Sequence, residues 1–532
     1  MTSPIGIRRS LADLQQDYDA GHKAPLETLM RAWHGITTQL KPEDPNSFFS
    51  IGGLHGEPFR GQGETDANWW GGYCQHGTVL FPSWHRAYLW RLEKALQSIP
   101  GCADVMMPFW DECSQASGDQ GVPKALTRQT FELDGQTIAN PLRSFRLPVA
   151  IFDRVEGDPV VYSKPAGYDT VRYPLSGLVG SPQDLAATLA HNAQFTDPEA
   201  NVGHLNDNVA TWLSGRIRVD GQWVGEVRNS FVSCLDAPNY TLFSNTTSAK
   251  AWNKAHGSHL VALESPHNYM HLAVGGFDYP GQGDFSAIPG ANGDMGENDT
   301  AGLDPIFFFH HCFIDYVFWT WQQRQGATQA LTIAVDDPGA NSNANPPPAG
   351  MAPNTPLALS TPLAPFDKPD GSGPFTTADC VDIEGQLGYT YGPGSLDGFA
   401  KPPAEMAMAA APRADRGRSV HVSGINRALV RGSFLISTFA TVDGKRQHVG
   451  TEAVLSRWHV QGCMNCLRHL EATASFRLPR HADHSEVAAE AVEVVVRTRE
   501  GRFVGPNTGA ESAALAASGE QVGNLPFKVE VY

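Results

Sequence analysis

No run in the chain approaches the roughly 18 to 20 consecutive apolar residues of a membrane-spanning helix, so insertion into a bilayer is excluded at the outset. Positive charge is scarce too. With 39 Lys and Arg against 56 Asp and Glu, a net charge of −17 leaves no basic surface for a polyphosphate, and nucleic acid is an unsuitable partner. A small neutral substrate remains compatible. Cysteine is sparse: eight scattered positions in 532 residues do not form a disulfide framework. The first residues, MTSPIGIRRSLADLQQDYDA, carry a basic pair but not the apolar core of about 7 to 15 residues that a signal peptide needs. The expectation is a mature chain that starts here and resides in the cytoplasm.

What is present is a globular composition, 41% hydrophobic and 18% charged, long enough for about two to four domains and able to bury a metal centre. Residues 1–392 read as one large, mainly α unit, with helical patterns such as PLETLMRAWHGITTQL and SWHRAYLWRLEKALQSI between long Gly/Pro/Asn-rich connections. Within it, the Pro/Ala/Asn-rich stretch 334–366 should run extended over the surface. Residues 393–418 read as a Pro/Ala-rich linker. Beyond it, SVHVSG, GSFLISTFATV, EATASFRL, EVVVRT and FKVEVY alternate like strands, which predicts a small β-domain over 419–532.

Three segments concentrate the histidines. The first places His85 in a helix near Pro82 and Ser83, with His55 and His76 in Gly-flanked loops that can fold back toward it. In the second, LESPHNYMH, Ser265 is expected to cap a helix with Pro266 in its first turn, putting His267 and His271 one turn apart on one face. The third, GLDPIFFFHHCFIDYVFWTWQQ, is a helix opened by Asp304 and Pro305, apolar almost all round and therefore buried, with His310 and His311 inside it. His34, His191 and His204 stand alone and read as hydrogen-bonded structure. A buried imidazole without a partner costs about 1 to 3 kcal/mol, so several converging on one core call for a metal. A di-iron site normally adds bridging carboxylates and paired Glu-x-x-His motifs, of which only Glu264 and His267 occur; an all-nitrogen set favours copper, with a three-histidine zinc hydrolase the other option.

At these residues the sequence resembles the tyrosinase and polyphenol oxidase family, the type-3 copper proteins that include catechol oxidases and haemocyanins. Cys-x-His-Gly-x-x-Leu-Phe-x-x-Trp-His-Arg at 74–86 is similar to the family's first copper motif, and Asp-Pro-x-Phe-Phe-x-x-His-x-x-x-Asp at 304–315 to its second. The resemblance implies a helical-bundle copper domain over 1–392, ending near Tyr389-Thr-Tyr391, with His55, His76 and His85 on one copper ion and His267, His271 and His311 on the other. His310 is then a neighbour rather than a ligand. Asp315, one turn beyond His311, is placed to orient ligand-bearing groups. Cys74 would form a thioether with His76, as in fungal members.

Glu264 and Asn268 resemble the pair that holds a water as base for the phenol proton, while the plain reading of Glu264 is a helix-terminal carboxylate. Leu272 offers an apolar wall. The implied activity is O2-dependent ortho-hydroxylation of monophenols and oxidation of o-diphenols to o-quinones. A catechol oxidase or o-aminophenol oxidase without the first step, or a haemocyanin-like O2 carrier, would keep the same ligands. The β-domain resembles the C-terminal extension of fungal pro-tyrosinases, which lies over the active site; Cys463 and Cys466 fit its copper-loading Cys-x-x-Cys, and Trp458 is its candidate shielding aromatic. The oligomeric state stays open, a homo-oligomer included.

Overall fold

The computed structural model describes residues 5–56, 72–153, 161–214, 218–219, 222–223, 227–276, 292–342, 355–401, 418–460, 470–499, 501–504 and 525–532. Helix Ile306–Gln325 is the axis of the molecule. Every residue from Ile306 to Gln322 is buried, as an all-round apolar sequence requires. Around it pack helices Ala24–His34, Phe81–Gln97 and Glu264–Gly275. Trp33 stacks on Phe309 with ring centroids 5.6 Å apart, and Tyr88 meets Phe308 at 5.1 Å while donating to the Ile51 carbonyl at 2.7 Å. Helix Glu264–Gly275 begins two residues earlier than a Ser265 cap implies. Its N-cap is Leu263, without a side-chain cap, and Ser265 lies inside the first turn.

One carboxylate ties these helices together. Asp315 accepts from Arg86 Nε at 2.5 Å, Arg8 Nη1 at 3.2 Å, Tyr389 Oη at 2.5 Å and Tyr391 Oη at 2.6 Å. Arg86 directly follows His85, so this contact links the helix of the first histidine segment to that of the third. The Tyr-x-Tyr element is held by the same node: strand Tyr389–Tyr391 pairs in parallel with Gly6–Arg8, which brings Arg8 and both tyrosines to Asp315. The described parts of the 334–366 stretch, 334–342 and 355–366, are less superficial than expected. Leu357 and Leu363 are fully buried and anchor the segment, and the Ala364 carbonyl accepts from Trp84 Nε1 at 2.7 Å.

The described residues of 419–532 form two antiparallel sheets. One orders Glu471–Arg477, Ser419–Asn426 and Lys528–Val531; the other orders Lys445–Val454, Phe434–Val442, Val492–Thr498 and Gly501–Val504. Strand Phe434–Val442 is buried on both faces. Alternation sends Phe434 and Ile436 into the core between the sheets, while Leu435 and Phe439 join the core of the helical unit. The contact also contains buried ions. Arg457 Nε lies 2.5 Å from Asp299 and its Nη2 3.2 Å from Asp153, and Arg499 pairs with Glu297. Among the described residues no helix is long and apolar enough to cross a membrane.

Candidate metal centre

The three histidine segments meet in two clusters. In one, the ligand nitrogens of His55, His76 and His85 lie within 4.8 Å of one another; in the other, those of His267, His271, His310 and His311 do. The clusters face each other, with the rings of His85 and His311 stacked at 4.3 Å. Helix Phe81–Gln97 supplies His85, while His55 follows the short helix Phe48–Gly53 and His76 lies in the turn before Phe81. Helix Glu264–Gly275 projects His267 and His271 from one face, as their four-residue spacing demands.

Several outer nitrogens are fixed by acceptors. His85 Nδ1 lies 2.8 Å from the Phe81 carbonyl, His271 Nδ1 2.8 Å from the Met295 carbonyl, and His267 Nδ1 2.9 Å from Asn268 Oδ1. Their Nε2 atoms point inward. His267 Nε2 stands 3.1 Å from His271 Nε2 and 3.2 Å from His311 Nε2. Two imidazoles bound to one ion at about 2.0 to 2.1 Å in tetrahedral array have their nitrogens about 3.3 Å apart, so this spacing fits a shared metal. Burial, followed by the neighbouring imidazoles, drives His55, His267 and His311 well below the usual histidine range, and burial with His76 does the same to His85. The rings are neutral, as metal ligation requires.

Glu264 and Asn268 divide their work. The Glu264 carboxylate is buried and accepts from Gly77 N–H at 2.8 Å and from both N–H and O–H of Thr246 at 2.8 Å. It therefore caps a different helix, Thr246–His256, and pins the turn that carries His76. Burial pushes its carboxyl above the usual range, with those hydrogen bonds opposing. Asn268 accepts from His267, and its amide nitrogen lies 3.4 Å from the Ala453 carbonyl of the C-terminal unit.

A cavity of about 290 Å³ reaches His76 and Glu264, walled among others by Lys250, Asn298, Arg427 and Leu455. The C-terminal unit faces this space through Arg427, Leu455 and Thr473, among others. Trp458 instead packs against Gly180, with Arg499 and Arg431 over its ring, because its backbone N–H is held by Asp299 at 2.9 Å. Leu272 is buried in the core and is not among the described residues lining that cavity. Cys74 is buried two residues before His76, with the Asn298 amide 3.9 Å from its sulfur. Cys463 and Cys466 lie outside the described residues. His34 and His191 hydrogen-bond Thr38 and the Pro174 carbonyl, respectively.

Sequence reasoning missed the supporting groups. Met295 and Asn298 come from a buried segment, Asn292–Asp304, that carries no regular pattern, and Phe307 packs on His55 and His311 at 4.8 and 4.1 Å. It also missed Glu112, which lies 2.6 Å from His310 Nδ1.

Neutral imidazoles converging from a helical core form two groups that could each hold a metal ion. Residues 45–324 match the family model for the common central domain of tyrosinase. The chain is 48% identical to Tyrosinase HcTyr2 of Hahella sp., covering 100% of this chain and 99% of that protein, and 43% identical to a tyrosinase of Aspergillus oryzae, covering 88% and 87%. Its fold is similar to the solved tyrosinase from Burkholderia thailandensis at low pH, with a TM-score of 0.80 and 46% identity over 99% of this chain and 100% of that one. The chain belongs to the tyrosinase family, whose members are copper-dependent oxidoreductases.

Proposed function

We propose that the chain oxidises phenols with O2 at a pair of copper ions, hydroxylating monophenols at the ortho position and converting o-diphenols to o-quinones. The observation that carries this reading is the pair of facing histidine clusters, His55, His76 and His85 opposite His267, His271 and His311, joined by the His85–His311 stack. The chemistry supplied by bound copper is electron exchange between the phenol and O2. The protein holds the ligands and handles the proton.

Glu264 is the proton acceptor in this reading. It lines the cavity that reaches His76, and burial raises its basicity toward that of a phenol. Asn268 is a positioning residue that keeps His267 Nε2 directed inward. For the two to share a water, the Asn268 amide must leave Ala453, so displacement of the 453–456 segment belongs to the first step. The unit at 419–532, joined to the catalytic unit at 1–392 by residues 393–418, is a cover whose Leu455 occupies one wall of the substrate cavity. Cys74 forms the thioether that fixes His76, and Cys463 and Cys466 deliver copper.

The test is oxidation of tyramine by the copper-loaded chain with O2 uptake recorded. Quinone formation after a lag supports the full reading. Turnover of catechols alone reduces it to an o-diphenol oxidase, and reversible O2 binding without phenol oxidation makes the chain a carrier.

A further inference from the structure

A second cavity, of about 610 Å³, shares no described lining residue with the one at His76 and Glu264, and none of the clustered histidines lines it. Segments 140–146 and 169–175 form much of its wall. They are laced together by the Thr170 N–H on the Phe145 carbonyl and the Phe145 N–H on the Thr170 hydroxyl, each at 2.9 Å. Helix Pro198–Leu213 adds Asn201, Val202 and Leu205. A concavity of this size, apolar with a few polar groups, has the dimensions of a small-molecule site.

The charges around it do not cancel. Arg172 is matched: it holds Asp304 at 2.6 Å and donates to the Leu126 and Leu142 carbonyls. Arg146 is matched by Asp169 at 2.9 Å. The half-buried Arg143 guanidinium has neither an ion pair nor a hydrogen bond among the described residues, and the adjacent Ser144 hydroxyl has no hydrogen bond there either. Burial, followed by Arg172, lowers the Arg143 guanidinium below its usual range, so its surroundings oppose the charge more than they compensate it. A planar fork of donors, partly stripped of water and without an acceptor, is suited to bidentate capture of an anion.

The neighbours narrow the anion. Asp169 and Glu199 both act electrostatically on Arg143, so a doubly charged phosphate meets more repulsion here than a singly charged carboxylate does. Leu126, Phe145, Val171 and Leu205 make an apolar lining beside it, which rewards a ligand with a hydrocarbon part. We infer that this cavity is a binding site for a small organic carboxylate. The carboxylate sits on the Arg143 guanidinium and the Ser144 hydroxyl, and the apolar body lies against Leu126, Phe145 and Leu205.

The experiment is calorimetric titration of the copper-loaded, full-length protein with hexanoate, hexanol and inorganic phosphate. Two temperatures are used, so that a vanishing enthalpy at one does not hide binding. Hexanoate is expected to bind with a Kd on the order of 1 mM or tighter, and hexanol and phosphate at least about 10-fold more weakly. Arg143→Ala and Arg143→Gln should each weaken hexanoate by about 10- to 100-fold while leaving phenol oxidation without hexanoate unchanged. Should Arg143→Ala fail to fold, Arg143→Gln decides on the same criterion. Absence of hexanoate binding at both temperatures overturns the inference, as does an affinity that neither variant changes, which would place the ligand elsewhere. Hexanol binding as tightly as hexanoate removes the anion from the account, and phosphate binding as tightly removes the organic carboxylate.

Discussion

Replacing Asp315 with Asn removes one charge and almost no volume from the node that joins the histidine-bearing helices. Arg8 and Arg86, both fully buried, would lose the carboxylate they share, while Asn keeps an acceptor for only part of the set. Breaking a buried pair by removing one partner costs about 3 to 5 kcal/mol, because the remaining charge stays desolvated. At about 2 °C or less per kcal/mol for a unit this large, Tm should fall by roughly 5 to 10 °C. The matched control is Asp169→Asn, whose partner Arg146 is 71% exposed, and that change should cost about 1 kcal/mol or less.

The pH dependence adds a second constraint. Burial alone would raise the Asp315 carboxyl, but Arg86 and Arg8 pull it below the usual range. A carboxylate lowered in the folded state stabilises above its unfolded pKa of about 3.9, and that contribution is lost as pH falls through the folded value. The gap between Asp315→Asn and the unaltered chain should therefore persist at pH 5 and close in stronger acid. Metal-free samples followed by thermal scanning give the answer. A Tm drop no larger than that of Asp169→Asn would refute the reasoning.

Four further outcomes follow from the site. Glu264→Gln should lower monophenol turnover by about 100-fold or more while diphenol turnover falls far less; equal losses in steady-state assays would mean the carboxylate only caps helix Thr246–His256. Asn268→Ala should weaken copper retention by about 10- to 100-fold in chelator competition, since His267 loses the acceptor that orients it. Histidines that are neutral when folded take up protons on unfolding below about pH 6.5, so the metal-free chain should lose stability on acidification, by up to about 1.4 kcal/mol per pH unit for each; urea titrations at pH 7 and 5.5 measure the slope, and no loss contradicts it. Arg457→Ala leaves Asp299 and Asp153 buried without their cation and should loosen the C-terminal unit, seen as faster catechol oxidation and earlier proteolysis beyond residue 401.

The histidines that converge in the two clusters were legible because their geometry is local. His267 and His271 are one helical turn apart, and the two motifs that surround His76, His85 and His311 are short and contiguous. The Glu264 hydrogen bonds were not, since Thr246 and Gly77 reach it from 18 and 187 residues away. The same holds for Glu112 beside His310, a separation of 198 residues, and for the Met295 carbonyl on His271, where a backbone atom does the work and any side chain would serve. Trp458, expected from the resemblance to the fungal extension to be the shielding aromatic, is not among the described residues lining the cavity: the Asp299 carboxylate holds its backbone, and Leu455 and Ser456 line the space instead. Ser265 misled because a capping residue type one position inside a helix looks the same in sequence as one at its start.

Anomalous diffraction at the copper edge, from crystals of the loaded chain, locates any bound copper among the histidines. A pair of copper peaks is expected, one among His55, His76 and His85 and one among His267, His271 and His311. A single peak, or copper bound elsewhere with both clusters free of it, would contradict that expectation.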